Sequence, residues 1–350
     1  MQTANALTRI PSLDGLRAVS ILLVIFSHIS QTYHWSQSVP FIWRLTPGAT
    51  GVSVFFVISG YLISSLLLRE QAATGRISLR DFYLRRVFRI VPAYLVYIGV
   101  IALLAQAGVV TAEAQDFVAA LLYVTNYVQA HWVLLHTWSL SVEEQFYLLF
   151  PLLLLASTRR LLVMVLGATL CLSIAARLLN QVWGIWPVDA MYSFEGRADQ
   201  LAFGSLCALF QQHAPMVRQR ALANIAVPVG ALLVCIAMAL PVGHTRTVLL
   251  NTLIGLATAL AIHGCTLRPG NGLARLLGCW PLRALGLISY SLYLWQQVWM
   301  TRELELPLSL ALVGTLLCGT ASFWLVERPF LQLRRRLQSA TEKSAIALKQ

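Results

Sequence analysis

The chain has 350 residues, of which 58% are hydrophobic and 11% charged, with a formal net charge of +12. Soluble domains carry about a quarter of their residues charged, so a soluble fold is excluded. Nucleic-acid binding is the poorer reading of the basic excess, because most arginines stand in short segments beside apolar runs, where they act as topology signals.

Apolar runs of the ~20 residues needed to cross a hydrocarbon layer as helix are frequent along the chain. They place spans near 15–33, 50–68, 88–107, 138–156, 161–179, 190–211, 222–240, 247–265, 281–301 and 306–326. The first is followed by the bulky, polar stretch Ser30 to Trp35, which lacks a small-residue cleavage pattern, so it reads as a span and not as a leader. The segment near 114–128 is ambiguous by length, and charge decides it. If it crossed, Arg159 and Arg160 would lie opposite the six arginines from Arg69 to Arg89, against the positive-inside tendency. The expected fold is therefore all-α: a polytopic membrane protein of about ten transmembrane helices plus one partial or re-entrant helix.

An even number of spans puts both termini in the cytoplasm. Arg9, Arg17, the arginines from Arg69 to Arg89 and the basic group from Arg328 to Lys349 then lie inside, and Arg44, Arg246 and Arg302 outside. Arg177 and Arg197 remain at membrane depth. The six cysteines lack zinc-site or disulfide spacing and read as packing residues; no metal site is expected. No fixed-period repeat is apparent, which weakens the reading as a transporter built from two related halves.

Ionisable residues inside a bilayer are costly and mark function or internal pairing. Arg17 and His28 lie eleven residues apart on the first span, which is three helical turns and ~16 Å along one face. The alternatives are a positive-inside topology anchor for Arg17 and a polar contact between helices for His28. Glu143, at the depth of His28, shares a helix face with Ser139 and Tyr147 at i−4 and i+4, whereas its neighbour Glu144 does not. Glu195, Arg197 and Asp199 open the sixth span, where a structural ion pair is as natural as a site. Ser59, between aromatic residues and the small Gly51 and Gly60, reads first as a packing residue. In the cytoplasmic segment before the third span, Arg86 and Arg89 are three residues apart on one side of a helix; they suit headgroup contact or, through their forked donors, a phosphate.

Together these segments resemble the membrane acyltransferase family called acyltransferase 3. The resemblance rests on Leu13-Asp14-Gly15-Leu16-Arg17-Ala18 with His28, on Gly51 to Leu62, on Phe82-Tyr83-Leu84-Arg85-Arg86 with Arg89 to Pro92, and on Thr137-Trp138-Ser139-Leu140-Ser141-Val142-Glu143-Glu144-Gln145-Phe146-Tyr147. It continues through Gly196-Arg197-Ala198-Asp199-Gln200-Leu201, Ser289 to Trp295 and Val326-Glu327-Arg328-Pro329-Phe330. Seven motifs in order over residues 13–330 are specific where each alone is weak. The resemblance implies one membrane domain over 1–330 with a basic cytoplasmic tail over 331–350, in the inner membrane of a bacterium. It also implies acyl-coenzyme A, acetyl-coenzyme A above all, as a co-substrate used from the cytoplasm, with no permanently bound cofactor. The partners implied besides membrane lipids are a surface glycan or lipid-linked sugar as acceptor. Relatives commonly carry histidine where Gln296 stands here.

On this reading His28 is the base that takes the acceptor hydroxyl's proton, and Glu143 orients and stabilises its ring. Arg17, Arg86 and Arg89 hold the donor phosphates, and Ser139, Tyr147, Arg197 and Asp199 support the site. The rivals are a transporter or flippase of a glycolipid or acyl donor, and acylation of a small glycoside such as a macrolide.

Overall fold

The computed structural model describes residues 10–34, 47–185, 189–241 and 243–347. The expected placements of Arg9, Arg44 and Lys349 lie outside the described residues. The chain divides into two compact units: Met1–Ile77, Val118–Gln129 and Thr137–Ser289 form the first, and Ser78–Phe117, Ala130–His136 and Tyr290–Gln350 the second.

In the first unit, α1 (Pro11–Thr32) is followed by α2 (Pro47–Thr74). The second unit begins with α3 (Leu79–Gln106), whose first turn is capped by the Ser78 hydroxyl accepting from the Asp81 amide, and continues with the short α4 (Ala114–Leu121), which crosses into the first unit's sequence, and α5 (Trp132–Leu135). The first unit resumes with α6 (Thr137–Ala156), α7 (Arg159–Trp183), α8 (Phe194–His213), α9 (Met216–Ala239) and α10 (His244–Leu267). It closes with α11 (Gly272–Leu277) and α12 (Trp280–Leu287). The second unit is completed by α13 (Ser289–Trp299), α14 (Leu308–Ser322), a π turn over Phe323–Glu327 and α15 (Arg328–Ala347).

No strand occurs among the described residues, so the backbone polar groups are satisfied within helices as a bilayer requires. Among the described residues, eight helices are long and apolar enough to cross a membrane, so the expected count of ten is not confirmed. Two expected spans account for the difference. The sixth, now α8, has 20 residues and so about the length of a bilayer core. It carries Glu195, Arg197 and Asp199 in its first turns and buries most of its surface against neighbouring helices. The ninth is broken at Ile288, whose backbone leaves helical geometry (φ −95°, ψ 5°), and the Ser289 hydroxyl donates to the Gly286 carbonyl at 2.9 Å. The ambiguous segment near 114–128 holds the eight-residue α4 and a tight turn over Thr125–Tyr127. Eight residues rise about 12 Å, too little to cross.

Small residues set the packing of the first unit. α2 and α8 cross closely: a Cβ on Gly60 would stand 2.1 Å from the Leu201 carbonyl oxygen, and one on Gly204 would stand 2.1 Å from that of Val57. This is the close-contact geometry that small residues permit between membrane helices, where dispersion replaces the hydrophobic effect as the driving force. α1 packs along the other side of α2, with Ser20 donating to the Gly51 carbonyl at 2.6 Å. The packing reading of Gly51 and Gly60 therefore holds. α10 lies against α9, α8, α2 and α7. Arg246, expected in an exterior loop, is buried in α10's first turn and donates to the Leu240 carbonyl at 3.1 Å, a cation capping the C-terminal end of α9.

Two expectations follow. With the native cysteines replaced, single cysteines at the exposed positions Ala114 and Gln129 should both react with a membrane-impermeant thiol reagent from outside; labelling from opposite faces would make 114–128 a span. Gly204→Leu should cost about 3 kcal/mol or more, beyond ordinary overpacking because the clash is with backbone. Gly167→Ala on α7, where an added Cβ meets nothing within 4 Å, should instead stabilise by up to about 1 kcal/mol through helix propensity. Melting of the purified proteins in one detergent separates the two.

Candidate active site

The polar residues of the first unit gather around α2 and α8. Glu143 of α6 is buried, at 6% exposure, inside an apolar protein. The Ser59 hydroxyl of α2 donates to its Oε1. The small neighbours of Ser59 suggest packing; the structure instead makes it a hydrogen-bond donor to the carboxylate, and the signal in the sequence is a hydroxyl, like that of Ser53, within a largely apolar run. Ser139 and Tyr147 are buried on the same helix, one turn to either side of Glu143. His28 and Arg17 are both half-buried on α1, which packs against α2.

Arg197 is buried and held on three sides. Its Nε donates to the Met191 carbonyl at 2.6 Å, one terminal nitrogen reaches the Ser53 hydroxyl at 3.2 Å, and the guanidinium lies 5.2 Å from the centre of the Trp138 ring. A cation over an indole face is attracted by the ring quadrupole, more strongly when both are desolvated. Trp138 is itself fixed edge-on by Phe56 and Tyr192, and Ser53 donates onward to Asn251 Oδ1 at 3.0 Å. Arg197 thus ties α2, α6, α8 and α10 around one point.

A structural ion pair does form here, but its cation comes from another helix and not from Arg197. Asp199 pairs with Arg177 of α7, which forks onto both carboxylate oxygens at 3.2 and 2.8 Å. The Thr252 hydroxyl reaches Asp199 at 2.6 Å, the Gln200 amide donates to it, and the Ser173 hydroxyl accepts from its backbone amide at 3.2 Å. Arg177 also donates to the Gly196 carbonyl at 2.6 Å. Helical periodicity already turned Arg197 away from Asp199; what the sequence could not give was the partner, although a lone arginine at membrane depth called for one. Glu195 takes a different partner again, accepting from the Tyr127 hydroxyl at 3.0 Å. Burial, with Glu195 beside it, pushes the Tyr127 phenol up to about 12, so it remains a hydrogen-bond donor.

The start of α8 is shaped to allow this. Ser193 caps it by accepting from the Gly196 amide at 3.1 Å, and a side chain at Gly196 would meet the Ala190 carbonyl oxygen at 1.8 Å. Gly196-Arg197-Ala198-Asp199 therefore combines one close approach of backbone with two opposite, separately satisfied charges.

Arg86 and Arg89 belong to the second unit, on α3. Both are half-buried, and the Arg86 guanidinium stands 5.8 Å from the centre of the Phe82 ring. In the same unit Gln296 is buried and turned toward its own helix, its amide 3.5 Å from the Tyr293 carbonyl, while Tyr293 donates to the His136 carbonyl at 2.8 Å. No group of histidine, cysteine, aspartate and glutamate suited to a metal ion occurs among the described residues.

Comparison with known proteins places this architecture. The chain is 30% identical over 319 residues to the peptidoglycan O-acetyltransferase OatA of Listeria monocytogenes serovar 1/2a (strain ATCC BAA-679 / EGD-e), covering 82% of this chain and 48% of that protein. It is 30% identical over 315 residues to the O-acetyltransferase OatA of Staphylococcus aureus (strain NCTC 8325 / PS 47), covering 82% and 50%. A third protein, from Staphylococcus aureus (strain COL), is 40% identical over 159 residues, 41% of this chain and 24% of its own length. The chain thus spans half or less of the length of these relatives. No solved structure matches it. The family described as an acyltransferase domain matches residues 10–327, and the chain belongs to that family, acyltransferase 3.

Proposed function

We propose that this chain transfers an acyl group, acetyl above all, from acyl-coenzyme A to a sugar hydroxyl of a surface glycan or its lipid-linked precursor at the bacterial cytoplasmic membrane. The observation that carries the reading is the buried Glu143 carboxylate, fixed by the Ser59 hydroxyl in the unit that also holds His28. A carboxylate costs several kcal/mol or more to desolvate, so one retained among apolar helices and locked in orientation has work to do there. Family membership and the relatives' names support O-acetyl transfer, and the name of the Listeria relative supports a polymeric cell-wall glycan as the acceptor class.

The chemistry assigns each group a part. His28 accepts the proton of the attacking hydroxyl, the hydroxyl oxygen forms a bond to the thioester carbonyl, and the coenzyme A thiolate leaves and takes the proton from the imidazolium. Glu143 stabilises the imidazolium, as a carboxylate partner does in a histidine dyad. Arg86 and Arg89 of the second unit hold phosphates of the donor; Arg17, the third expected phosphate ligand, belongs to the first unit. Arg197 and Asp199 act through the scaffold: Arg197 ties α8 to α2 and α6, and Asp199 ties it to α7 and α10, which together fix the helix that packs beside Glu143's. Both termini lie in the cytoplasm.

His28→Ala and Glu143→Gln should each lower acetyl transfer by about 100-fold or more, the contribution of general acid–base groups. The double variant should be little worse than the poorer single one, because groups that act as a unit are not additive. Ser59→Ala, which leaves the carboxylate but frees its orientation, should cost only about 3–10-fold, the worth of one hydrogen bond. The assay is release of free thiol from acetyl-coenzyme A in the presence of a glycan acceptor, with purified protein in nanodiscs. Transfer at the wild-type rate by folded His28→Ala protein would remove His28 as the base.

Donor binding is tested separately. Arg86→Ala with Arg89→Ala should weaken coenzyme A binding by about tenfold or more, with lysine replacements restoring only part of it, because a point charge lacks the guanidinium fork. Unchanged affinity in the folded double variant would return both arginines to the role of topology signals.

A further inference from the structure

The second unit gathers more cations than the motifs of α3 account for. Arg85 and Arg89 are four residues apart on α3 and share a face, and both are half-buried. The C-terminal helix α15 packs along α3. It brings Arg334 to this face, where the charges of Arg335, Arg85 and Arg89 all bear on it. Arg334 is half-buried, and its Nε is closed off from solvent with no hydrogen-bond partner. Among the described residues, neither Arg89 nor Arg334 enters an ion pair. Arg328, at the start of α15, is occupied instead, 4.1 Å above the Trp324 ring.

Like charges drawn together and partly desolvated repel, and the arrangement is stabilised when an anion shares it. Guanidinium groups carried by two packed helices can offer forked donors from different directions, which suits the tetrahedral oxygens of a phosphate better than a planar carboxylate. We infer that Arg85, Arg89 and Arg334 form a phosphate-binding site, in which the C-terminal helix supplies a cation that the motifs of α3 do not contain. Its ligand is a phosphate group of the acyl donor's nucleotide; this assignment rests on the proposed function. The same chemistry would bind a phospholipid headgroup. The basic C-terminal segment, expected as a tail, is on this inference part of the binding machinery.

The test uses the full chain in nanodiscs of uncharged phosphatidylcholine, with coenzyme A as the probe and calorimetry as the readout. Arg334→Gln should weaken coenzyme A binding by about tenfold, the loss of a charge-assisted bond. Arg334→Lys should fall between wild type and Arg334→Gln, and all three proteins should melt alike. A second arm uses nanodiscs containing phosphatidylglycerol, with the number of retained anionic lipids read by native mass spectrometry. Wild-type affinity for coenzyme A in Arg334→Gln, together with a loss of bound phosphatidylglycerol, would overturn the donor assignment and give the site to the headgroup. No change in either arm would overturn the site. If coenzyme A fails to bind wild-type protein, the acyl-donor reading falls, and the phosphate site then stands or falls on the lipid arm alone.

Discussion

The first unit depends on one constraint, that a charge inside an apolar helix bundle must be matched by another charge or by a full set of hydrogen bonds. Arg177 and Asp199 meet it together. Removing one member of a buried pair typically costs about 3–5 kcal/mol, because the other is left uncompensated. Here the pair links α7 to α8, and through Thr252 to α10. Three helices are thereby set in register by a single carboxylate, and α8, too polar to face lipid, is held in the interior where it carries Arg197.

From that register the site follows. Arg197 leaves α8 on the side opposite to Asp199 and finds the Met191 carbonyl, Ser53 and the Trp138 face. Trp138 sits in the first turn of α6, five residues before Glu143. The glycine crossing of α2 and α8 lets Ser59, beside Gly60, face α6 at the depth of the carboxylate. The motifs that looked like separate signatures are thus contacts of one network: the serine of the second span, the tryptophan and glutamate of α6, and the arginine and aspartate of α8. Most of its members position; few are placed to touch a reacting atom.

The second unit uses the same physics with the opposite sign of outcome. Its arginines on α3 and α15 are brought together without acidic partners of their own for Arg89 and Arg334. Where the first unit closes Arg177 internally on Asp199, the second leaves Arg89 and Arg334, among the described residues, without a carboxylate partner. That difference separates a scaffold from a binding site: both contain arginine at a low-dielectric boundary, and only the presence or absence of a counter-charge tells them apart.

The sequence by itself determined the class of solvent and with it the class of fold, because long apolar runs with arginines at their ends admit only helices in a bilayer. It also determined that Glu143, Ser139 and Tyr147 share a face and that Arg197 and Asp199 do not, since helical periodicity is local. It did not determine the number of crossings: α8 is too polar to be counted by hydropathy, and the break at Ile288 arises where the chain turns at Gly286 and Ser289. Nor did it determine partners. Ser59 with Glu143, Arg177 with Asp199 and Arg334 with Arg85 and Arg89 join residues from 22 to 249 positions apart in the chain. Only the tertiary structure decides such pairs, because which charge neutralises which depends on how whole helices pack, and that is set by backbone close approaches with no local signature.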